Sequence, residues 1–290
     1  MTRSEAAAYL LQAEYTPSWV ALEKLLLDVG SYRYSFLDSE EFVPILNKNT
    51  ARGMEIYWKE ILCRAHWAAM TSLIRTHRWS AGVFDGFASE NLIVFCACTR
   101  GLLESSADCW DSLSVVAPTL ASAKETIELA ISNHLNERRV AEDLESRLMH
   151  FTFARKRRKG EALPESHSAK TVADYLRHFE REQPSIMKFY TMLCDVVHPG
   201  ASSVLSFSRS IDNGNKIELS FEVERRSLAE FAVCLRLVLT DIIAASFNTG
   251  ILILRTLNYL PLKPVHTPLI DSLPFKPIPA WKSIESLLEK

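Results

Sequence analysis

The feature that most constrains this fold is segment 91–113, which is apolar on nearly every side except for a stripe formed by Arg100, Glu104 and Asp108. Their i, i+4, i+8 spacing places them in one stripe along a helix. A helix that is apolar all round belongs inside a bundle. An unpaired charge there would be strongly destabilising. The sequence therefore predicts that the stripe is enclosed and that its charges have partners.

Three interpretations of the stripe stay open. It is an internal salt-bridge network that fixes the register of the helix, a functional site in the bundle core, or a face turned to water. Buried charged groups are enriched at functional sites. The guanidinium of Arg100 has five donors, so we expect a second helix to supply further partners.

Composition narrows the class of protein. The chain has 290 residues, of which 48% are hydrophobic and 23% charged, as is ordinary for a soluble globular protein. A net charge of -2 excludes a global attraction to nucleic acid or anionic membranes, so any such binding must be local. Only nine glycines argue against Gly-rich phosphate loops and against a many-turned all-β fold.

The cysteines predict a reducing compartment. None forms a C-x-x-C pair, and all lie in apolar, helix-like segments, which favours buried free thiols over a disulfide frame or a zinc site. The first residues lack the long apolar stretch of a signal peptide. We therefore expect a cytoplasmic protein. The cysteines are Cys63, Cys96, Cys98, Cys109, Cys194 and Cys234.

Apolar periodicity and capping residues predict a mainly α fold, a multi-helix bundle with one inserted β-hairpin at about 205–223. We divide the chain into an N-terminal helical segment (1–48), a bundle domain containing the hairpin (49–260), and a Pro-rich tail with a short final helix (261–290). Among the predicted helices are one from Asn136 to about Arg158 and one opened by Ser89. The tail is expected to run extended over the surface.

The hairpin prediction includes a register. A three-residue loop at 213–215 would pair Ile211 with Ile217 and Phe207 with Phe221 on one buried face. Further on, segment 237–254 is long enough to suggest a membrane span. Asp241 and other polar residues lie within it, so a core helix of the bundle, with no membrane contact, is the better interpretation.

The segment Tyr190 to Pro199 is the second place where chemistry could lie. Thr191, Asp195 and His198 share one helix face, and Pro199 ends the helix. His198 is either a helix-capping residue held by Asp195, or an acid–base or phosphate-binding residue in a pocket with Arg100.

Two further polar features lie on the helix expected at 136–158. Asp143, Arg147 and His150 form a second stripe that could join the Arg100 site. A basic segment, Arg155, Lys156, Arg157, Arg158 and Lys159, is either a solvated helix end or a patch that contacts the phosphates of RNA or DNA.

Sequence patterns of the common cofactor and metal sites are absent. The chain has no G-x-S-x-G, Walker A, G-x-G-x-x-G or H-E-x-x-H pattern. Asp195 and His198 have the spacing of half a di-iron motif, but no second copy follows. We expect neither a metal nor a cofactor.

Arg100-Gly-Leu-Leu-Glu104, followed by Tyr190 through Pro199, resembles a loose group of uncharacterised bacterial all-helical proteins that is similar in outline to HEPN domains. The resemblance covers roughly 57–203. Many HEPN domains are metal-independent RNases in toxin or phage-defence systems, which implies a defence or toxin–antitoxin setting. The HEPN signature has a His four to six residues after an Arg, and no Arg here has one. The RNase activity is therefore not carried over.

Two functions follow as expectations, and the sequence leaves open whether the protein is an enzyme. The first is a binding or regulatory module whose charged cluster is structural or holds a small anion. The second is a HEPN-like RNase or other phosphodiester-acting effector. Nucleic acid or protein partners and a homo-oligomer are compatible with both. The candidate catalytic residues are Arg100, Glu104, His198 and Asp195.

Overall fold

The computed structural model describes residues 1–11, 16–27, 29–181, 183–212 and 216–290. Most of this chain is helical, and one two-stranded antiparallel sheet is inserted, which confirms the predicted mainly α bundle with a hairpin. The helices are α1 (Arg3–Leu10), α2 (Thr16–Leu26), α3 (Ser39–Lys48), α4 (Thr50–Ala88), α5 (Leu92–Leu113), α6 (Val116–Ser122), α7 (Lys124–Ile131), α8 (Glu142–Phe153), α9 (Val172–Glu180), α10 (Ile186–Val197), α11 (Ala201–Leu205), α12 (Phe221–Arg236), α13 (Leu239–Asn258), α14 (Pro268–Asp271) and α15 (Pro279–Leu288). The strands are β1 (Ser208–Ile211) and β2 (Lys216–Leu219).

The residues group into two compact units, each made of separate chain segments. Unit 1 contains Met1–Glu23, Ile74–Asp108 and Thr171–Ser246. Unit 2 contains Lys24–Leu73, Cys109–Lys170 and Phe247–Lys290. The predicted division at 48 and 260 stays a prediction.

In unit 1, the N-terminal cap of α5 is Asn91, two residues after the predicted cap at Ser89. The side-chain oxygen of Asn91 accepts the Val94 N–H at 2.9 Å. The Ser89 hydroxyl instead donates to the Asp85 carbonyl, at the end of α4. The buried Glu224 carboxylate from α12 accepts the Leu92 N–H at 3.1 Å, which satisfies another free amide of the first turn.

Small residues let α4 and α5 approach closely in unit 1. A Cβ added at Gly86 would lie 2.6 Å from the Phe95 amide nitrogen. Buried hydroxyls also connect helices here, since Thr76 donates to Ser246 at 2.7 Å and Ser106 lies 3.3 Å from the same oxygen. The backbone contact at Gly86 and the serine contacts fix α5 in this unit.

In unit 2, an extended segment at 32–37 lies along α4. Alternate residues Tyr32, Tyr34 and Phe36 face inward, as expected for an extended chain. His66 of α4 is completely buried beneath them. Its Nδ1 lies 2.7 Å from the Tyr34 hydroxyl, and its Nε2 lies 3.0 Å from the Thr267 hydroxyl. This network joins three separate parts of the chain.

Two predicted segments of unit 2 differ from the structure. Helix α8 runs from Glu142 to Phe153, so it is shorter at both ends than predicted. At its C-terminal end the chain becomes extended at Ala154, and the Arg155 backbone forms hydrogen bonds with segment 167–169. The predicted short final helix is present as α15, but the tail before it is not extended throughout, because it contains α14. The apolar side chains of the tail are buried, which provides the reason: Val265, Ile270, Phe275 and Trp281.

The predicted hairpin register is wrong. Ile211 pairs with Lys216 and Ser210 with Ile217, while Phe221 opens α12 rather than lying in a strand. The predicted loop at 213–215 lies outside the described residues. We assumed a buried face, but Ile217 and Leu219 are 65% and 82% exposed. Without burial, the apolar pattern does not determine the register.

The core helix predicted at 237–254 corresponds to α13, which α12 precedes in the chain. Helices α12 and α13 meet at a bend of 51° after Arg236. Among the described residues, no single helix is both long and apolar enough to span a membrane, although this bent pair passes by length and composition.

Candidate functional site

The candidate site lies in unit 1, on α5 and α10. Helix α5 contributes Arg100 and Glu104, one turn apart, and α10 contributes Tyr190. His198 is the C-cap of α10, where the backbone leaves the helix in an extended conformation and its amide donates to the Cys194 carbonyl. Pro199 cannot continue the helix, so it fixes the imidazole at the helix end. We call Arg100, Glu104, Tyr190 and His198 the Arg100 cluster.

Arg100 is the centre of the cluster. Its Nε donates to Glu104 at 2.8 Å, and its Nη1 lies 2.9 Å from Nε2 of His198. The Tyr190 hydroxyl donates to the same Glu104 oxygen at 2.7 Å. The guanidinium carbon also lies 5.6 Å from the centre of the Tyr190 ring, within cation–π range. The predicted meeting of Arg100 and His198 is therefore present in the structure.

The Arg100–His198 contact assigns the hydrogen-bonding roles of the two groups. A guanidinium has only donors, so Nε2 of His198 accepts the hydrogen bond. The other ring nitrogen, Nδ1, then carries the N–H.

The hydrogen bonds also shift two pKa values in the cluster. Burial alone lowers the pKa of Arg100, but the interactions with Glu104 and Tyr190 outweigh it and the net shift is upward. Burial, followed by the hydrogen bond to Glu104, raises the pKa of Tyr190. Arg100 therefore stays charged, and the Tyr190 hydroxyl stays a donor to the Glu104 carboxylate.

The cluster is half-buried, whereas we expected it to be enclosed. The side chains of Arg100 and Glu104 are 24% and 30% exposed, and His198 is exposed. The stripe follows the one side of α5 that the neighbouring helices leave partly open. Water and small solutes can therefore reach the imidazole without any opening of the core.

Two predicted members lie outside the cluster. Asp108 belongs to the same stripe but pairs with Arg75 of α4 at 2.8 Å. Asp195 is exposed, and the contacts described for His198 do not include it, so the structure gives no support to a capping His held by Asp195. We did not identify Arg75 as a partner. The only signal in the sequence is its place on the polar side of α4.

The Asp143–Arg147–His150 stripe lines a cleft of about 630 Å³ in unit 2. Arg147 donates to the Asp111 carbonyl at 3.1 Å, and Lys170 pairs with the Asp111 carboxylate. The lining contains acids, bases and several serines. Such a mixed lining does not select one sign of charge.

The basic segment also lies in unit 2, beyond the end of α8. Arg155 forms a bidentate pair with Glu161 and is not available as a free cation. The other four residues of the segment are exposed: Lys156, Arg157, Arg158 and Lys159. The predicted placement of this segment at a helix end is wrong, since α8 ends at Phe153.

Comparison with known proteins does not assign a family. No family model, curated protein or solved structure matches this chain. The resemblance to HEPN domains therefore stays a prediction. Any functional conclusion must come from the geometry of the described residues, and in those residues no group of three or more His, Cys, Asp or Glu side chains is arranged to hold a metal ion.

Proposed function

We propose that this protein is a binding module, in which the Arg100 cluster holds a small anionic ligand that carries a phosphate group. The observation that carries this proposal is the 2.9 Å contact between Arg100 Nη1 and His198 Nε2 at the exposed edge of the cluster. It places a permanent cation beside an imidazole that is exposed to solvent.

The donors of the cluster suit an anion at its exposed edge. The Arg100 guanidinium keeps its charge while Nε donates to Glu104, and a guanidinium has five N–H donors in all. A phosphate oxygen at this edge would accept charge-assisted hydrogen bonds from Arg100. The Tyr190 hydroxyl donates to the same Glu104 oxygen as Arg100 and so holds that carboxylate in place.

The test uses dimethyl phosphate, a phosphodiester monoanion. We expect NMR titration to give its largest shifts at Arg100 and His198. His198→Gln should weaken binding. Arg100→Gln should lose roughly tenfold or more in affinity, since a charged hydrogen bond contributes about 1.5–3 kcal/mol.

Two matched variants control this experiment. His134→Gln removes another exposed imidazole, and Arg209→Gln removes another exposed guanidinium paired with a glutamate, at 2.6 Å from Glu218. Both should bind as wild type does. No binding of dimethyl phosphate, or a loss in the control variants as large as in the cluster variants, would contradict the proposal.

The same contact favours a second function, phosphodiester cleavage. An imidazole beside a guanidinium is a suitable pair for acid–base catalysis and stabilisation of a charged transition state. There His198 would move the proton and Arg100 would bind the phosphoryl oxygens. The assay is cleavage of a fluorogenic RNA in the presence of a chelator, together with expression of His198→Ala and Arg100→Ala beside wild type.

The outcomes separate the roles. An enzyme should lose cleavage and any toxicity in both variants while its fold is intact. A purely structural cluster should instead lose melting temperature or solubility. Variants that stay folded, with phosphate binding and cleavage unchanged, would contradict both functions.

A further inference from the structure

Unit 2 carries a row of aromatic side chains that the sequence does not reveal, because its members come from four chain segments. Phe36 stacks on Trp67 with ring centres 6.0 Å apart. Trp67 meets Phe153 edge-on at 5.9 Å, and Phe153 stacks on His167 at 5.7 Å with only 18° between the ring planes. Arg64 lies over the Phe36 ring, 4.1 Å from its centre. We call Phe36, Trp67, Phe153 and His167 the aromatic row.

The row is accessible to solvent at its Phe153 end. Phe153 is 40% exposed, which is unusual for a large aromatic side chain, and His167 is half-buried. Aromatic rings in this setting can stack a further flat ring on an open face. The nearly parallel Phe153–His167 pair shows the geometry that an added ring would extend.

The basic segment begins where the row ends. The Arg155 N–H donates to the His167 carbonyl at 3.0 Å, so the backbone of the segment is joined to a member of the row. Gly160, at φ +81°, then turns the chain so that Glu161 returns to pair with Arg155. This loop carries five cations against one carboxylate, on a protein whose net charge is -2. The cationic charge is thus concentrated beside the open rings.

We propose that the aromatic row and residues 156–159 form a binding surface for single-stranded nucleic acid. Stacking on aromatic rings and contact of Lys and Arg with phosphates are the two interactions by which proteins hold single strands without reading sequence. A duplex keeps its base faces stacked inside, so the rings would have nothing to receive. This proposal does not rest on the Arg100 cluster, which lies in unit 1.

The test is fluorescence anisotropy of a labelled twelve-nucleotide RNA with the full chain, over a series of salt concentrations. Phe153→Leu keeps an apolar side chain but removes the ring. We expect it to weaken binding about fivefold or more at unchanged salt dependence, as is typical when one stacking ring is removed. The second variant is a triple substitution, Lys156→Gln with Arg157→Gln and Lys159→Gln. Its slope of log affinity against log salt should be shallower by about 0.7 for each phosphate that the variant no longer neutralises.

A matched triple variant controls for net charge. Lys263→Gln, Lys276→Gln and Lys282→Gln remove three other exposed cations of unit 2 and should leave affinity and salt dependence as in wild type. Arg100→Gln should also bind RNA normally, which separates this surface from the function proposed above. Melting temperatures of all variants verify the fold.

Several results would overturn the proposal. They are equal losses in the two triple variants, no effect of Phe153→Leu, equal affinity for the matching duplex, or equally tight binding of a polyglutamate peptide. The last would identify a surface for acidic proteins instead, because a peptide carboxylate can use the cations but not the rings.

Discussion

His66 offers a quantitative test of the packing in unit 2, through the pH dependence of stability. Burial lowers the pKa of this imidazole from 6.5 to about 4. The unfolded chain therefore binds a proton between about pH 6.5 and pH 4 that the folded protein does not bind. Unfolding takes up protons in this window, so stability is present above it and is lost as the pH falls.

The magnitude follows from the two pKa values. Linkage gives a loss of about 2 kcal/mol between pH 7 and pH 5, and about 3 kcal/mol by pH 4. His66 is completely buried, so solvent screening does not reduce this figure. The loss is a large share of the 5–15 kcal/mol that roughly separates folded from unfolded domains.

The assay is urea unfolding at several pH values, in wild type and in His66→Gln. Glutamine can still meet the Tyr34 and Thr267 hydroxyls but does not titrate. The variant should be less stable at neutral pH, since its shape differs, yet its stability should fall less on acidification, by about 2 kcal/mol at pH 5. Other groups, including His77, titrate in both proteins and cancel in the comparison. Parallel pH curves for the two proteins would refute the reasoning.

Three further predictions follow from contacts in unit 1. Gly86→Ala should destabilise the folded protein by about 1–3 kcal/mol, and by more than Gly101→Ala does. The added methyl meets the Phe95 backbone at Gly86 but only the partly exposed Trp79 side chain at Gly101. Thermal unfolding compares the two variants. Asp108→Asn should cost about 1 kcal/mol, because its pair with Arg75 is partly screened by solvent, and an unchanged urea midpoint would show that the pair contributes nothing. A thiol reagent should label exposed Cys234 quickly but Cys96 only on unfolding, because Cys96 is buried and burial raises its pKa to about 12; mass spectrometry of labelled peptides gives the order.

Local patterns in the sequence predicted much of this fold. Helix α10 follows from its apolar face and from Pro199, which ends it. The predictions failed where local preference competes with tertiary contacts. Ser89 and Asn91 are both good caps, and only the turn at the end of α4 and the approach of Glu224 decide between them.

The site could be predicted in part for the same reason. The spacing of Arg100 and Glu104 along one helix fixes their contact, and the apolar character of α5 made a partner from a second helix necessary. Nothing in the sequence says that Asp108 turns to Arg75 while Arg100 turns to His198. That choice depends on how the helices pack around α5, which single-sequence periodicity does not determine.

The same limit explains why the aromatic row escaped prediction while the basic segment did not. Five consecutive cations are visible in a linear sequence, whereas Phe36, Trp67, Phe153 and His167 are separated by up to 131 positions. On its own, a cationic segment is most often a solvated surface. The segment becomes a candidate binding surface because the Arg155 backbone is hydrogen-bonded to His167, and His167 stacks on the exposed Phe153 ring. Phe153 lies exposed at the end of the aromatic row and close in sequence to four exposed cations, and this combination of an open ring with cations is what the proposed single-strand surface requires.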